Sequence, residues 1–425
     1  MKPLFWLAAC VIAGNLAGGP AWAQPPAFRQ HFRAVSAYPP GEPAGTVSLR
    51  AALDAAWQRA VVARESDGQR RRAEAERAAA RSFWAAPPSI EISQRADRLQ
   101  GNAGKRETEI GVAVPLWLPG QRAARSGTAE AAAAQALAAE QVARWRLAGE
   151  LRETAWQLAA LQAEAAEADT QANALKQFAD DVERRVRAGD LARADALAAQ
   201  ADLLAAASMQ SGARQRLQAA RGRWALLTGL AAAPELLATA AIDEAPATAA
   251  SHPELQLASK TAELARKRVE LMRRSRRDAP ELTLGARQDT PGRAEASQGS
   301  LVVGLRLPFG TDDRNRPLEA AALAELDVAE TQELRLRERL DSDIATARDA
   351  QRSAEAQLDA EIARAALLRE RATLIDKSFR AGESPLPDLL RALAAAAQAE
   401  SSAARQTAAR GLARAQLQQA LGLLP

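Results

Sequence analysis

Cysteine occurs once in the 425 residues, at Cys10. No intrachain disulfide can form, so packing alone must stabilise the fold in an oxidising compartment. Histidine occurs twice, at His31 and His252, with no helical pairing. A transition-metal cluster of the His/Cys type is therefore excluded. No glycine loop of the phosphate-cradling kind is present, so the chain does not hydrolyse ATP. Nothing supports catalysis or a bound cofactor. After the leader no apolar run reaches about 18 residues, which excludes a membrane-spanning helix. Aromatics are 4% of the chain. Charge is nearly balanced, with 56 basic and 52 acidic residues interspersed. The sequence pI of 9.6 reflects a small excess of arginine, and no basic patch marks a nucleic-acid partner.

What the chain does have is a short segment that occurs twice. Arg187-Ala188-Gly189-Asp190 interrupts one Ala/Leu/Gln/Arg-rich run, and Arg380-Ala381-Gly382-Glu383 interrupts another, 193 residues later. Asp195 and Asp388 each lie six residues past their glycine. Glycine reaches positive φ without a Cβ penalty, so both segments read as tips of helical hairpins. The same spacing of 193 relates Val112-Ala113-Val114-Pro115-Leu116 to Leu305-Arg306-Leu307-Pro308-Phe309, Gly229 to Gly422, and Ala86-Pro87 to Ala279-Pro280. A period near 200 implies two copies of a whole structural unit, whereas solenoid repeats have periods of about 20–50.

Residues 1–23 read as a secretory signal peptide. Lys2 supplies the positive start, Leu4 to Leu16 the apolar segment, and Ala21-Trp22-Ala23 the cleavage site. The competing reading is a lipoprotein signal, in which Leu7-Ala8-Ala9-Cys10 is the lipobox and Cys10 is acylated. Either way the chain is exported. Residues 24–45 form a Pro/Gly-rich arm. A first unit follows over 46–230, a linker over 231–251 and a second unit over 252–425.

Each unit has the same expected order. A helix spans about Leu49 to Ser82, with Leu53, Trp57, Ala60 and Val61 as its apolar stripe. Trp57 reads as core packing, with a ligand-binding aromatic as the alternative. Pro87-Pro88 then changes the period to two. Strands are expected at about 88–98 and 107–116, and in the second unit at about 281–289 and 300–308. Strands of roughly ten residues with one apolar face fit either two soluble hairpins or part of a transmembrane barrel. Four strands cannot close a barrel that needs about eight, so the membrane reading requires several copies, and a trimer gives twelve strands. Trp117 suits a membrane interface, although aromatics are otherwise sparse there. From Gln121 to Arg187 no proline intervenes, which allows on the order of 100 Å of helix at 1.5 Å per residue. Leu318 to Arg380 allows about 90 Å. Return helices are expected at Leu191–Leu227 and from Pro387 to Leu421. Strict Leu heptads are absent, which disfavours a two-stranded zipper.

This ordered set resembles the TolC-type outer-membrane efflux factors. The residues that carry the resemblance are Val114-Pro115-Leu116 with Gly120-Gln121-Arg122, Leu307-Pro308-Phe309-Gly310 with Asn315-Arg316, the two tips, and His252-Pro253-Glu254-Leu255. It covers about residues 46–424. One departure is Ala60-Val61, where the family has Pro-Glu. The segment from Pro308 to Arg316 resembles the heavy-metal cation efflux branch more than the multidrug branch. The resemblance implies a mainly α fold with a small β part, and a homotrimer that forms a twelve-stranded outer-membrane β-barrel and a periplasmic α-helical tunnel. Its partners would be outer-membrane lipid, a periplasmic adaptor (membrane fusion) protein and an inner-membrane efflux pump. The tips at Arg187, Gly189, Asp190, Arg380, Gly382 and Glu383 would dock the adaptor. Asp195, Asp388 and Arg391 would form the tunnel constriction, with an Asp388/Arg391 ion-pair ring where relatives place a second acid. Both aspartates also fit a plain role as helix N-terminal acids that complement the dipole. The alternative function is a periplasmic coiled-coil adaptor or scaffold without a barrel, which would lack a strand pair ahead of each hairpin.

Overall fold

A computed structural model describes residues 45–236 and 251–425, except Arg98, Gln100, Asn102, Ala294 and Thr311. The leader with Cys10, the arm with His31, and most of the 231–251 linker lie outside the described residues.

Eleven elements are assigned among the described residues: α1 (Leu49–Arg59), α2 (Val61–Ala80), β1 (Ser89–Ala96), β2 (Arg106–Pro115), α3 (Gln121–Ala188), α4 (Arg193–Thr228), α5 (Pro253–Arg274), β3 (Glu281–Thr290), β4 (Gln298–Arg306), α6 (Asp312–Arg380) and α7 (Leu386–Ala420). The fold is mostly helical with one small antiparallel sheet. α3 and α6, of 68 and 69 residues, are each about 100 Å long at 1.5 Å per residue. Mean helices have about 11–12 residues, so neither is an ordinary globular element. α4 returns along α3 and α7 along α6; α2 packs on α3, and α5 lies against both α3 and α6.

Alanine makes the close packing possible. On α4, Ala199, Ala206, Ala213 and Ala220 are buried, each seven apart and at most 4% exposed, with Trp224 and Thr228 buried at its end. On α3, Leu151, Leu158, Ala165 and Ala172 follow the same seven-residue step. That is a heptad seam of the coiled-coil kind, carried mainly by methyl groups. Small residues let the backbones approach closely and forfeit little rotamer entropy on burial.

Two helix boundaries differ from the sequence reading. The expected helix from Leu49 to Ser82 breaks at Ala60, whose φ of −67° and ψ of 135° are extended. Ser48 caps α1, accepting the Ala51 N–H at 3.2 Å, while α2 starts without a side-chain cap. Val61 then faces outward, 85% exposed, so it leaves the apolar stripe. Trp57 packs against the cluster of Leu53, Leu147, Leu151, Leu158 and Trp224, with the Arg144 guanidinium 5.0 Å from its ring centre. α6 begins at Asp312, ahead of Pro317. A proline this near the start removes one backbone bond, where one in mid-helix would kink the axis.

Candidate functional site

The sheet order is β1-β2-β3-β4, antiparallel throughout. Its register aligns the apolar side chains into rows. Ile90, Val112, Leu284 and Val303 are cross-strand partners, as are Ile92, Ile110, Ala286 and Leu301; Val114, Leu282 and Leu305 form a third row. Successive residues of a strand point to opposite faces, so all three rows share one face. Most of that face is bare: Ile90, Ile92, Val303 and Leu301 on the edge strands are each more than 70% exposed, the central strands less so, and Val114 is buried. Contiguous apolar surface of this kind marks an interaction with another protein or a membrane. The other face carries Glu91, Glu107, Glu109, Thr283 and Arg287. On it Arg287 reaches Glu107 at 2.8 Å and Arg306 approaches Glu281 at 3.7 Å. Gly111 opposes Gly285 there. A Cβ on Gly285 would lie 2.8 Å from the Ile110 carbonyl oxygen, so the strands approach at a point only glycine fits.

The helices carry the two tips to one place. α3 stops at Gly189 (φ 88°) and α6 just before Gly382 (φ 80°). In each, the next N–H reaches back five residues: Asp190 to the Arg185 carbonyl at 2.9 Å, and Glu383 to the Ser378 carbonyl at 3.0 Å. These are Schellman closures, which satisfy the last carbonyls of the helix. Val182, Ala199, Phe379, Leu386 and Leu389 form a single buried cluster that joins the tips. Arg185 lies 5.4 Å over the Phe379 ring. Arg187 and Arg380 are exposed and pair within their own helices, with Glu183 at 3.7 Å and Asp376 at 2.9 Å. Asp190 and Glu383 are exposed.

Asp195 and Asp388 occupy matching offsets but differ in chemistry. The Asp195 carboxylate accepts the Ala192 N–H at 3.1 Å, which ties it to the start of α4. At the corresponding position Pro385 is the N-cap of α7 and has no N–H to give. The Asp388 carboxylate turns instead to Arg391, one turn on, at 2.6 Å. Arg391 also donates to the Pro387 carbonyl at 3.3 Å.

Midway along α3 the C-terminal segment and the start of α5 meet in a polar knot that the sequence reading missed. Arg152, 3% exposed, donates to Gln419 Oε1 at 2.6 Å and to the Leu423 carbonyl at 2.9 Å. Gln419 Nε2 donates to the Trp145 carbonyl, and Trp145 Nε1 donates to the Gln419 carbonyl. His252, 1% exposed, caps α5 by accepting the Glu254 N–H on Nδ1 at 3.2 Å. Its ring meets Trp145 edge-on at 4.8 Å. Glu254 holds Arg146 at 2.8 Å and Arg339 at 3.3 Å. One knot thus fastens α3, α5, α6 and α7.

Burial lowers the His252 pKa below its ordinary value; Arg339 adds to that, while Glu254, Asp343 and the Gln419 backbone oppose it. A group with a lowered folded pKa contributes stability fully above its unfolded pKa, about 6.5, and loses it as pH falls through that range. Thermal melts from pH 8 to pH 5 are therefore expected to show a falling Tm below about pH 6.5. His252→Asn keeps a capping acceptor and removes the titration, so it is expected to flatten that limb. An unchanged slope in the variant would assign the acid sensitivity to other groups.

Among the described residues no group of three or more His, Cys, Asp or Glu is placed to hold a metal ion, and no helix is long and apolar enough to cross a membrane.

This four-stranded sheet, joined to helical hairpins whose long helices are each about 100 Å, is similar in fold to solved outer-membrane channel proteins. VceC, an outer membrane protein of Vibrio cholerae, matches with a TM-score of 0.72 at 16% identity, over 88% of this chain and 96% of its own. CusC, whose crystal structures concern transmembrane channel formation, matches at 0.72 and 16%, over 91% of this chain and 96% of its own. The MtrE outer membrane channel of Neisseria gonorrhoeae, in its open state, matches at 0.69 and 17%, over 88% and 89%. No protein-family model matches the sequence, and no curated protein does.

Proposed function

We propose that this chain is the outer-membrane channel component of a tripartite efflux system, located in the outer membrane of a Gram-negative bacterium with a periplasmic extension. The observation that carries the reading is the exposed apolar face of the four-stranded sheet at the end of the long hairpins. Four strands with free edges need further copies, and three copies supply a twelve-stranded barrel, above the minimum of about eight. Transmembrane strands present such a face to lipid and a polar face to the lumen. The two tandem units build a tunnel wall continuous with the barrel. The tips at Arg187, Gly189, Asp190, Arg380, Gly382 and Glu383 dock a periplasmic adaptor, which links the tunnel to an inner-membrane pump. The channel conducts passively and the pump supplies the energy. A soluble adaptor or scaffold is disfavoured, because in water that sheet face would be an aggregation surface.

Heavy-metal cations are the cargo class supported by the sequence from Pro308 to Arg316. The first test is the membrane fraction and the mass of the mature protein in mild detergent. Outer-membrane recovery near three chain masses is expected, and a soluble periplasmic monomer would sink the reading. Metal tolerance of a deletion strain then tests the cargo, with unaltered tolerance to every heavy metal as the contrary result.

At the tunnel mouth, three copies bring three Asp388–Arg391 pairs together, with Asp195 one helix away in each chain. A ring of charges at a constriction sets ion selectivity. Arg391→Ala leaves three uncompensated carboxylates. Its cation-to-anion permeability ratio in planar bilayers is expected to rise several-fold, while stability changes by less than about 1 kcal/mol because the pair is exposed. Unchanged selectivity would remove these residues from the constriction.

A further inference from the structure

Where α2 and α3 meet the sheet, three arginines and three aromatics converge. Arg81 ends α2, and Arg122 in the first turn of α3 donates Nη2 to the Arg81 carbonyl at 2.8 Å. Arg125 lies over the Trp117 ring at 5.8 Å. Trp117 Nε1 donates to the Ser82 carbonyl at 3.3 Å, which ties the half-buried indole to the chain turn. Phe83 and Trp84 meet edge-on at 4.5 Å, and Phe83 is 71% exposed.

The charges at this corner are uncompensated. Elsewhere on the same helices, Arg72 reaches Glu76 at 2.9 Å and Arg144 approaches Asp54 at 3.9 Å. Arg81, Arg122 and Arg125 are exposed, and among the described residues none of them has a carboxylate within 4.0 Å. The first turn of α3 contains no acid. Arg274 adds a fourth guanidinium, packed 3.6 Å from where a Cβ on Gly120 would stand. The corner directly adjoins the sheet, since the Ala85 N–H extends the ladder to the Pro115 carbonyl and the Leu116 N–H extends it to the Pro280 carbonyl.

We propose that this corner binds the phosphate headgroups of anionic phospholipids at the periplasmic surface of the outer membrane. The inference rests on the channel reading and adds the lipid class to it. Amphipathic aromatics settle at headgroup level. Guanidinium forks match phosphate geometry in two bonds, and arginine loses little hydration there. The apolar rows of the sheet end beside the corner, so a lipid whose tail lies on the sheet presents its phosphate to Arg122 and Arg125. The unit built from α5 to α7 lacks this aromatic set: Arg276 and Arg277 stand where Phe83 and Trp84 do, and Gly310 where Trp117 does. There Arg276 and Arg273 share the Glu319 carboxylate. The lipid site therefore occurs once per chain.

The test uses the full chain, transferred from mild detergent into vesicles of phosphatidylcholine alone or of phosphatidylcholine with phosphatidylglycerol. Insertion into both is expected, with roughly ten-fold or greater preference for the anionic vesicles at low salt. That preference should fall towards unity as salt is raised. Arg122→Gln with Arg125→Gln is expected to remove most of the preference while keeping insertion and trimer mass. Arg193→Gln with Arg371→Gln, an equal charge change elsewhere, should leave it intact. Equal insertion into both vesicles by the native chain overturns the proposal and leaves the channel reading standing. A chain that enters neither overturns both. Loss of trimer mass in the Arg122/Arg125 variant, with the lipid preference retained, would make the corner a contact between copies and overturn the lipid assignment.

Discussion

Val112→Arg is expected to abolish recovery of the chain from the outer membrane. Val112 lies in the central row of the apolar face, between Ile90 on β1 and Leu284 on β3. An arginine on the lipid face of a barrel costs about 2–4 kcal/mol near the bilayer midplane. Three copies in a trimer raise that to roughly 6–12 kcal/mol, comparable with the whole stability of a typical domain. The neighbouring position supplies the control. Glu91 pairs with Gly111 across the opposite face, which meets water in the barrel reading. Glu91→Lys is expected to assemble normally. Both variants are read by outer-membrane fractionation and by resistance of the trimer to dissociation in detergent. Normal assembly of the arginine variant would mean that the face does not meet lipid. Failure of both would mean that the sheet tolerates no charge change, and the two-faced argument would fall.

The elements that sequence marks by period or by glycine were legible. Alternation at Ile110, Val112 and Val114 and at Leu301, Val303 and Leu305 announces β2 and β4. The glycines at 189 and 382 announce the turns, because no other residue closes a helix so readily with positive φ. The seam between α3 and α4 was less visible. A search for leucine heptads passes over Ala199, Ala206, Ala213 and Ala220, although their spacing is a strict seven. The break at Ala60 has no local signature, since alanine favours neither a stop nor a cap. It arises where the Arg59 side chain packs against Gly229, with Arg59 atoms 3.1 Å from where a Cβ on that glycine would stand.

At the tips the sequence held more than the matched offsets suggested. Asp195 and Asp388 look equivalent by spacing. The residue three before each decides what the carboxylate does: Ala192 has an N–H to offer and Pro385 has none. One aspartate is therefore spent on its helix start, and the other is left for Arg391. A one-atom difference in the backbone turns a cap into an ion pair.

The knot around Arg152 was invisible by spacing, because it joins residues on α3 to Gln419 and Leu423 at the far end of the chain. One signal was present. Arg152 is four residues past Ala148 and three before Ala155, so it stands within the buried stripe of α3. A charge there must find partners or it is too costly to bury. It finds only neutral ones, the Gln419 side chain and the Leu423 carbonyl. Burial lowers its pKa to about 10, still far enough above neutrality to keep the guanidinium charged. Its Nε is buried without a partner, so the desolvation cost is only partly offset. Arg152→Ala is expected to destabilise the chain by about 3–5 kcal/mol, since it removes two charge-assisted bonds, strands the Leu423 carbonyl and opens a cavity. Arg152→Met fills most of that space and relieves the buried charge, so its cost should be smaller, about 1–3 kcal/mol. In both variants the C-terminal turn after Ala420 loses its tie to α3. Hydrogen exchange at Leu421 and Leu423 should therefore accelerate ahead of any change at the tips, and the C-terminus should become sensitive to carboxypeptidase. Equal losses in the two variants would show that the bonds, rather than the volume, carry the effect. Wild-type stability in both, with no faster exchange, would show that the Arg152 bonds are dispensable to the attachment of α7 on α3.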